Sequence, residues 1–199
     1  MIWYDSMNFI HLLLFVYWLG GDLGTYYSSF FVRNPALSVD ARATALKIMA
    51  GVDMGPRICM PLIFGFGVHL AQSETSLGVS KLVVLLSWLV TFVWLALVFA
   101  VHHKTGTETG KRLARFDMQF RLAVILVLVV VSVYGLATGE IIRFSWIGYK
   151  LLVFAAMVGA GLMIRRNLVP FGPAFQRLVR EGASPEVNET ISRSLKRCL

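Results

Sequence analysis

The chain has 199 residues, 57% of them hydrophobic, and a mean hydropathy of +0.69. This composition excludes an ordinary soluble domain and indicates a polytopic membrane protein. The formal net charge of +8 does not indicate a nucleic-acid partner, because the basic residues lie between apolar stretches, where they report membrane topology. The two cysteines, Cys59 and Cys198, are too few for a disulfide framework.

Five apolar stretches predict an all-α bundle of five transmembrane helices, since each is long enough to cross a bilayer. The segment 38–49 has apolar residues at helical spacing and basic residues between them, which predicts an interfacial helix leading into the second span. The transmembrane domain is expected to cover 1–166, and 167–199 to form an amphipathic cytoplasmic tail. The predicted spans are 9–31, 57–73, 82–101, 121–139 and 146–164.

The distribution of Lys and Arg predicts an amino terminus outside the membrane and a carboxyl terminus inside. Segments 33–57, 102–121 and 165–199 carry 16 basic residues, whereas the opposite side carries only Lys81 and Arg143. Basic loops stay on the cytoplasmic side of a membrane. We expect a multi-pass protein of a bacterial-type inner (plasma) membrane, with the lipid bilayer as its first partner.

The first predicted helix carries ionisable residues on one face. His11, Trp18 and Asp22 fall within a narrow angular sector at 100° per residue. Ionisable groups at membrane depth are costly and normally face protein or a cavity. For Asp22 we favour a buried network with Arg57 and Asp53. The alternative for this carboxylate is a proton path or a quinone contact.

Three polar residues from different spans are expected to share one depth. Successive spans run in opposite directions, and each residue advances about 1.5 Å along its helix. His11 then lies just below the outer face in the first span, and His69 lies at a similar depth in the second. Lys150 lies about one turn below the same face in the fifth span.

Two histidines at matched depth on antiparallel helices are suited to a b-type haem. Each imidazole would supply one axial nitrogen to the iron, and apolar walls would surround the macrocycle. Basic residues near the outer face would meet the propionates, and aromatic residues would wall the pocket. The residues predicted for this site are His11 and His69 as metal ligands, with Lys150, Arg143, Trp18 and Trp146 around the cofactor.

The residues also leave other readings open. A membrane histidine often only forms a hydrogen bond between helices, and Gly20, Gly21, Gly24 and Gly65 could serve close helix packing rather than make room for haem. His102 and His103, at the inner end of the third span, are expected to be solvated. The soft side chains Met49, Met54, Cys59 and Met60 do not share one helical face, which favours core filling over copper binding.

Short stretches resemble a known group of membrane proteins. His11 followed by Trp18-Leu-Gly, with the helix ending near Arg33, resembles the first helix of HemJ-type protoporphyrinogen oxidases. Ala45-Leu-Lys-Ile-Met49, followed by Pro56, resembles the start of their second helix.

A further stretch extends the resemblance to a wider superfamily. Trp146-Ile-Gly-Tyr-Lys150-Leu-Leu resembles a Trp-x-x-x-Lys-Leu helix shared with CopD-like membrane proteins. The resemblance implies b haem held by histidine, and points to His11 and Lys150 as the important residues. The five spans, the long tail and the additional His69 depart from the family pattern, so the resemblance stays at superfamily level.

We therefore predict a small membrane protein that binds a b-type haem between His11 and His69 and acts in electron transfer. It would act beside a redox partner subunit or with a quinone. A HemJ-like enzyme that oxidises a porphyrinogen is a second hypothesis. A cofactor-free, copper-related transport or assembly subunit is a third.

Overall fold

The structure, a computed structural model, describes residues 2–73, 77–140, 142 and 144–198. Its regular elements within these residues are seven α-helices. Two have a serine or threonine N-cap beside a membrane span: Ser80 accepts from Val83 N–H, and Thr107 accepts from Gly110 N–H. The helices are α1 (Ile2–Arg33), α2 (Val39–Ser73), α3 (Lys81–His103), α4 (Glu108–Thr138), α5 (Ser145–Asn167), α6 (Phe171–Glu181) and α7 (Pro185–Lys196).

The helices α1 to α5 are long and apolar enough to cross a membrane, which confirms the predicted all-α fold with five spans. Only 11% to 33% of the most apolar window of each helix is buried inside the protein. Large apolar side chains therefore point outward, as Leu85 and Leu126 do with 66% and 64% of their surface exposed. Such a surface suits lipid, and the chain has the character of a multi-pass membrane protein.

The second span differs from the prediction. α2 runs unbroken from Val39 to Ser73, so the helix expected over 38–49 and the second span form one continuous helix. Pro56 lies inside α2 and has no N–H for the Val52 carbonyl. A Cβ on Gly21 would lie 2.4 Å from the Pro56 ring, so the glycine lets α1 pack directly on this point. Membrane helices tolerate proline where a neighbouring helix covers the freed backbone.

The fourth span also begins earlier than predicted. α4 starts at Glu108, so most of the expected loop 102–121 is helical and Arg121 is not a loop residue. Arg121 is only 4% exposed, and its Nε donates to both carboxylate oxygens of Asp117 at 3.1 and 3.0 Å. Pairing within one helical turn lets a charged segment lie inside the bundle.

The structure divides into two units, and the first contains the chain up to Val16 and Arg57–Ala160. Its centre is Trp94 of α3, which has no exposed surface. The Trp94 ring meets the edges of Phe120 on α4 and Phe154 on α5, with ring centroids 6.0 and 6.5 Å apart. Four helices of this unit thus meet around one tryptophan, since α2 also contributes Phe64, which stacks on Phe154 at 5.7 Å.

The second unit contains Tyr17–Pro56 and the chain from Gly161 onward. The tail helices α6 and α7 pack against the end of α1 and the start of α2. Arg42 of α2 lies within this packing with no exposed surface. The apolar cluster comprises Val32, Met49, Phe171, Ala174, Phe175, Leu178, Val187, Ile191 and Leu195.

Candidate functional site

His11 packs against a glycine on the neighbouring helix. An ideal Cβ on Gly67 of α2 would lie 3.0 Å from Cε1 of the imidazole, so glycine makes room for the ring. The Nδ1 atom of His11 is buried and has no hydrogen-bond partner among the described residues. The Ile63 carbonyl lies near the ring, but no hydrogen bond of acceptable geometry joins it to Nδ1. A buried nitrogen without a partner is the kind of atom that a ligand can satisfy.

Lys150 belongs to the same part of the first unit. Its ammonium group lies 4.5 Å from the centroid of the Trp146 ring, one turn earlier on α5. Its charge acts on the His11 imidazole. Both Lys150 and Trp146 are exposed, and Trp146 keeps 49% of its surface accessible. Lys150 is therefore a cation whose charge acts on His11.

His69 has a different partner. The indole N–H of Trp88 on α3 donates to Nδ1 of His69 at 3.3 Å, and the two rings meet edge to face. Gly65, one turn earlier on α2, faces the same tryptophan, because its ideal Cβ would lie 3.3 Å from the Trp88 ring. The face of α2 that carries Gly65 and His69 is therefore packed against α3, and Gly65 leaves no room there for a macrocycle.

The two histidines lie on opposite sides of α2. The His11 ring packs on Gly67, and residues 67 and 69 of one helix point about 200° apart. Both imidazoles could hold one iron only if His69 lost its hydrogen bond to Trp88 and its side chain moved to the opposite face of α2. With Nδ1 accepting from Trp88, the proton of neutral His69 is on Nε2, which cannot then donate a lone pair to a metal. The shared axial role stays a prediction, and it requires this rearrangement.

The other residues considered in the sequence analysis are Arg143, Trp18, His102 and His103. Arg143 is outside the described residues. Trp18 belongs to the second unit, is 4% exposed and donates its indole N–H to Asp22. His102 and His103 are exposed, with ring centroids 5.6 Å apart. Among the described residues, no group of three or more His, Cys, Asp or Glu side chains is placed to hold a metal ion.

The soft side chains considered for copper are dispersed. Met49 lies in the apolar cluster of the second unit, whereas Cys59 and Met60 are buried in the first. Outside the spans, Sγ of Cys198 lies 3.2 Å from the Ser194 carbonyl, and burial raises the pKa of this thiol.

The sequence analysis did not predict one buried polar group. Arg121 of α4 pairs with Asp117, and its guanidinium carbon lies 5.0 Å from the centroid of the Trp94 ring. Its Nη1 also lies 3.9 Å from the sulfur of Met60 on α2. The available signal was an Asp and an Arg four residues apart beside an apolar stretch, which favours an intrahelical pair.

Comparison with known protein families, with curated proteins and with solved structures finds no match to this chain.

Proposed function

We propose that this protein binds a b-type haem through His11 and acts in electron transfer in a bacterial-type inner membrane. It would do so as a subunit or partner of a redox complex, or with a quinone. The observation that carries the proposal is the buried Nδ1 of His11, which has no hydrogen-bond partner among the described residues. An unsatisfied imidazole nitrogen inside a membrane bundle is costly, and a metal ligand role would satisfy it.

Different residues of the chain would have different roles around the haem. His11 would supply the axial nitrogen, and Gly67 would keep the ring in position because a larger residue would displace it. Lys150 would provide the positive charge near the acidic edge of the cofactor, with Arg143 as a second cation. A bound haem supplies one-electron chemistry, and the surrounding apolar side chains exclude water and tune its potential.

An optical spectrum of the purified protein, reduced minus oxidised, tests the proposal. After expression with adequate haem supply, the wild type should show b-type bands, and His11→Ala should lose the cofactor. Gly67→Ala should weaken haem retention because the new Cβ pushes on the ring, whereas Gly51→Ala, where nothing lies within 4 Å, should not. A wild type without haem bands would refute the proposal.

The same spectra decide the role of His69. If His69 becomes the second axial ligand, His69→Ala should give a five-coordinate form with a shifted band. In that case Trp88→Phe, which removes the hydrogen bond to Nδ1, should not impair binding. An unchanged His69→Ala spectrum would make His11 the single histidine ligand and leave His69 as the partner of Trp88.

A second candidate function is oxidation of a porphyrin-like substrate, as the HemJ-type resemblance suggests. The observation in its favour is that the charge of Lys150 acts on His11, which pairs the two residues that the resemblance singles out. A porphyrinogen oxidation assay with the wild type and Lys150→Met tests it. Activity that depends on Lys150 would support the enzyme. Haem bands without such activity would support electron transfer alone.

A further inference from the structure

Asp22 is an exposed carboxylate in the middle of a membrane helix. It lies two residues from the centre of the predicted span 9–31, and its side chain is on the exposed side of α1. Trp18, one turn earlier, donates its indole N–H to the carboxylate. A single neutral donor does not replace the hydration of a charge at membrane depth. In a bare bilayer this residue would therefore be costly.

The neighbouring charge within the second unit does not relieve this cost. The charged side chain that acts on Asp22 there is Asp53 of α2, which is half-buried and of the same sign. A second carboxylate does not compensate the charge of Asp22, and the carboxylate of Asp22 is itself exposed. The surface around Asp22 is therefore complementary to a positive charge.

The helix that carries Asp22 is also the least covered of the five spans. Only 11% of its most apolar window is buried, compared with 22% to 33% in α2 to α5. Asp22 lies at the edge of the exposed side of α1: the apolar side chains of Leu19 and Tyr26, within about 60° on one side of it, are exposed, whereas Trp18 and Ser29, within about 40° on the other side, are buried. A second helix could lie along this surface and shield the carboxylate from lipid.

We propose that this face of α1 docks a transmembrane helix of a partner protein that carries a Lys or Arg near the bilayer centre. A second copy of this chain fits less well. Its Arg57 and Arg121 already have interactions within the chain, and Lys150 lies near the predicted outer face rather than at the depth of Asp22. A cation on the partner at the matching depth would neutralise Asp22 and satisfy its oxygens.

Energy transfer between labelled protein and designed peptides in phosphatidylcholine vesicles tests this proposal. The probe is an apolar Leu/Ala helix of about 21 residues with one central Lys, long enough to span the bilayer. A central Lys lies at the depth of Asp22 whichever way the peptide crosses the bilayer. Otherwise identical peptides with Leu or Glu in the centre serve as controls. The full-length protein is used throughout, with helical content and monodispersity checked for every variant.

The Lys peptide should associate at least about fivefold more tightly than the Leu peptide, since polar contacts between membrane helices contribute about 1–2 kcal/mol in model peptides. The Glu peptide should bind least. Asp22→Asn should abolish the preference for Lys while keeping side-chain size, whereas Asp5→Asn, at the start of α1, should preserve it.

Two results would overturn the proposal. One is equal binding of the Lys and Leu peptides to the wild type, including no binding of either. The other is energy transfer between differently labelled copies of the chain that Asp22→Asn removes, because the occupant of this face would then be a second copy.

Discussion

The Asp117–Arg121 pair is a charged contact inside a region whose other side chains are mostly apolar. Asp117 and Arg121 are 1% and 4% exposed, so each ion depends on the other for compensation. Removing one partner of a buried pair typically destabilises a protein by about 3–5 kcal/mol, whereas removing both costs less. The pair is therefore a sensitive point for folding.

We predict that Asp117→Asn and Arg121→Met each lower the free energy of unfolding by about 3 kcal/mol, and that the double variant loses less than either change alone. Unfolding in mixed micelles, followed by circular dichroism during a titration with sodium dodecyl sulfate, measures this. The exposed pair of Glu108 and Lys111 is the matched control, and Glu108→Gln should change little. Additive losses in the double variant would contradict the prediction.

At the residue scale, the sequence predicted the depth of the candidate site residues but not the direction in which their side chains point. Helix direction and the rise per residue assigned His11, His69 and Lys150 to one depth. Helix direction and rise could not give the direction of each side chain around its helix axis. That direction depends on which face of α2 packs against α1 and which packs against α3. Gly67 shows the first face and Gly65 the second, and a glycine gives no such information in a sequence.

Among the elements, α2 carries the closest helix packing in the second unit. Gly20 and Gly21 are adjacent on α1, yet only Gly21 meets Pro56; a Cβ on Gly20 would have nothing within 4 Å. Gly21→Ala should therefore destabilise the protein by about 1–3 kcal/mol through overpacking. Gly20→Ala should be neutral or stabilise it by up to about 1 kcal/mol, as helix propensity predicts.

The same micelle titration compares the two glycine variants directly. Because the residues are neighbours, both alanines are introduced at nearly the same depth in the membrane. If the two alanines have equal effects, the close contact between Gly21 and Pro56 does not contribute to stability.

The tail helices are held to α2 by a buried guanidinium. Nε of Arg42 donates to the Val32 carbonyl at 2.9 Å, and Nη1 donates to Oδ1 of Asn188 on α7 at 2.8 Å. Nη2 is buried without a hydrogen-bond partner among the described residues. Loss of the Asn188 contact would leave a second buried N–H group unsatisfied, which costs about 1–3 kcal/mol.

We predict that Asn188→Ala releases the tail and accelerates trypsin cleavage after Arg177 or Arg180 by about tenfold, the equivalent of 1.4 kcal/mol in local opening. Limited proteolysis of the protein in micelles, followed by mass spectrometry, gives the rates. Thr190→Ala is the control on the same helix, since its hydroxyl only bonds the Glu186 carbonyl within α7. Equal cleavage rates for the two variants would argue against the Arg42–Asn188 contact as the restraint.

Over the whole molecule, the basic asymmetry still predicts the orientation. Arg57 and Arg121 lie well inside α2 and α4 rather than in loops, and without them 14 basic residues remain on the predicted inner side against two outside. A periplasmic reporter enzyme should therefore be active when inserted between Gly78 and Ser80, but not when fused after residue 199. Activity in the opposite pattern would reverse the orientation.

The all-α fold class and the number of membrane spans could be predicted from the lengths of the apolar stretches. A bilayer sets the same minimum length for every segment that crosses it. Two boundaries did not follow, because each depends in part on a contact with another helix. Pro56 stays helical beside Gly21, and Arg121 is buried through Asp117 and Trp94. Local propensity and hydropathy do not contain these contacts.

The spans also differ in their affinity for lipid, and this bears on the synthesis of the protein. The mean hydropathy of the best window is 1.2 in both α1 and α2, against 2.7 in α3. Less apolar segments partition from the translocation channel into the bilayer less readily. We expect α1 and α2, which precede α3 in the chain, to wait beside the channel until α3 follows. These two spans would then settle in the membrane only after a span that is made later than they are.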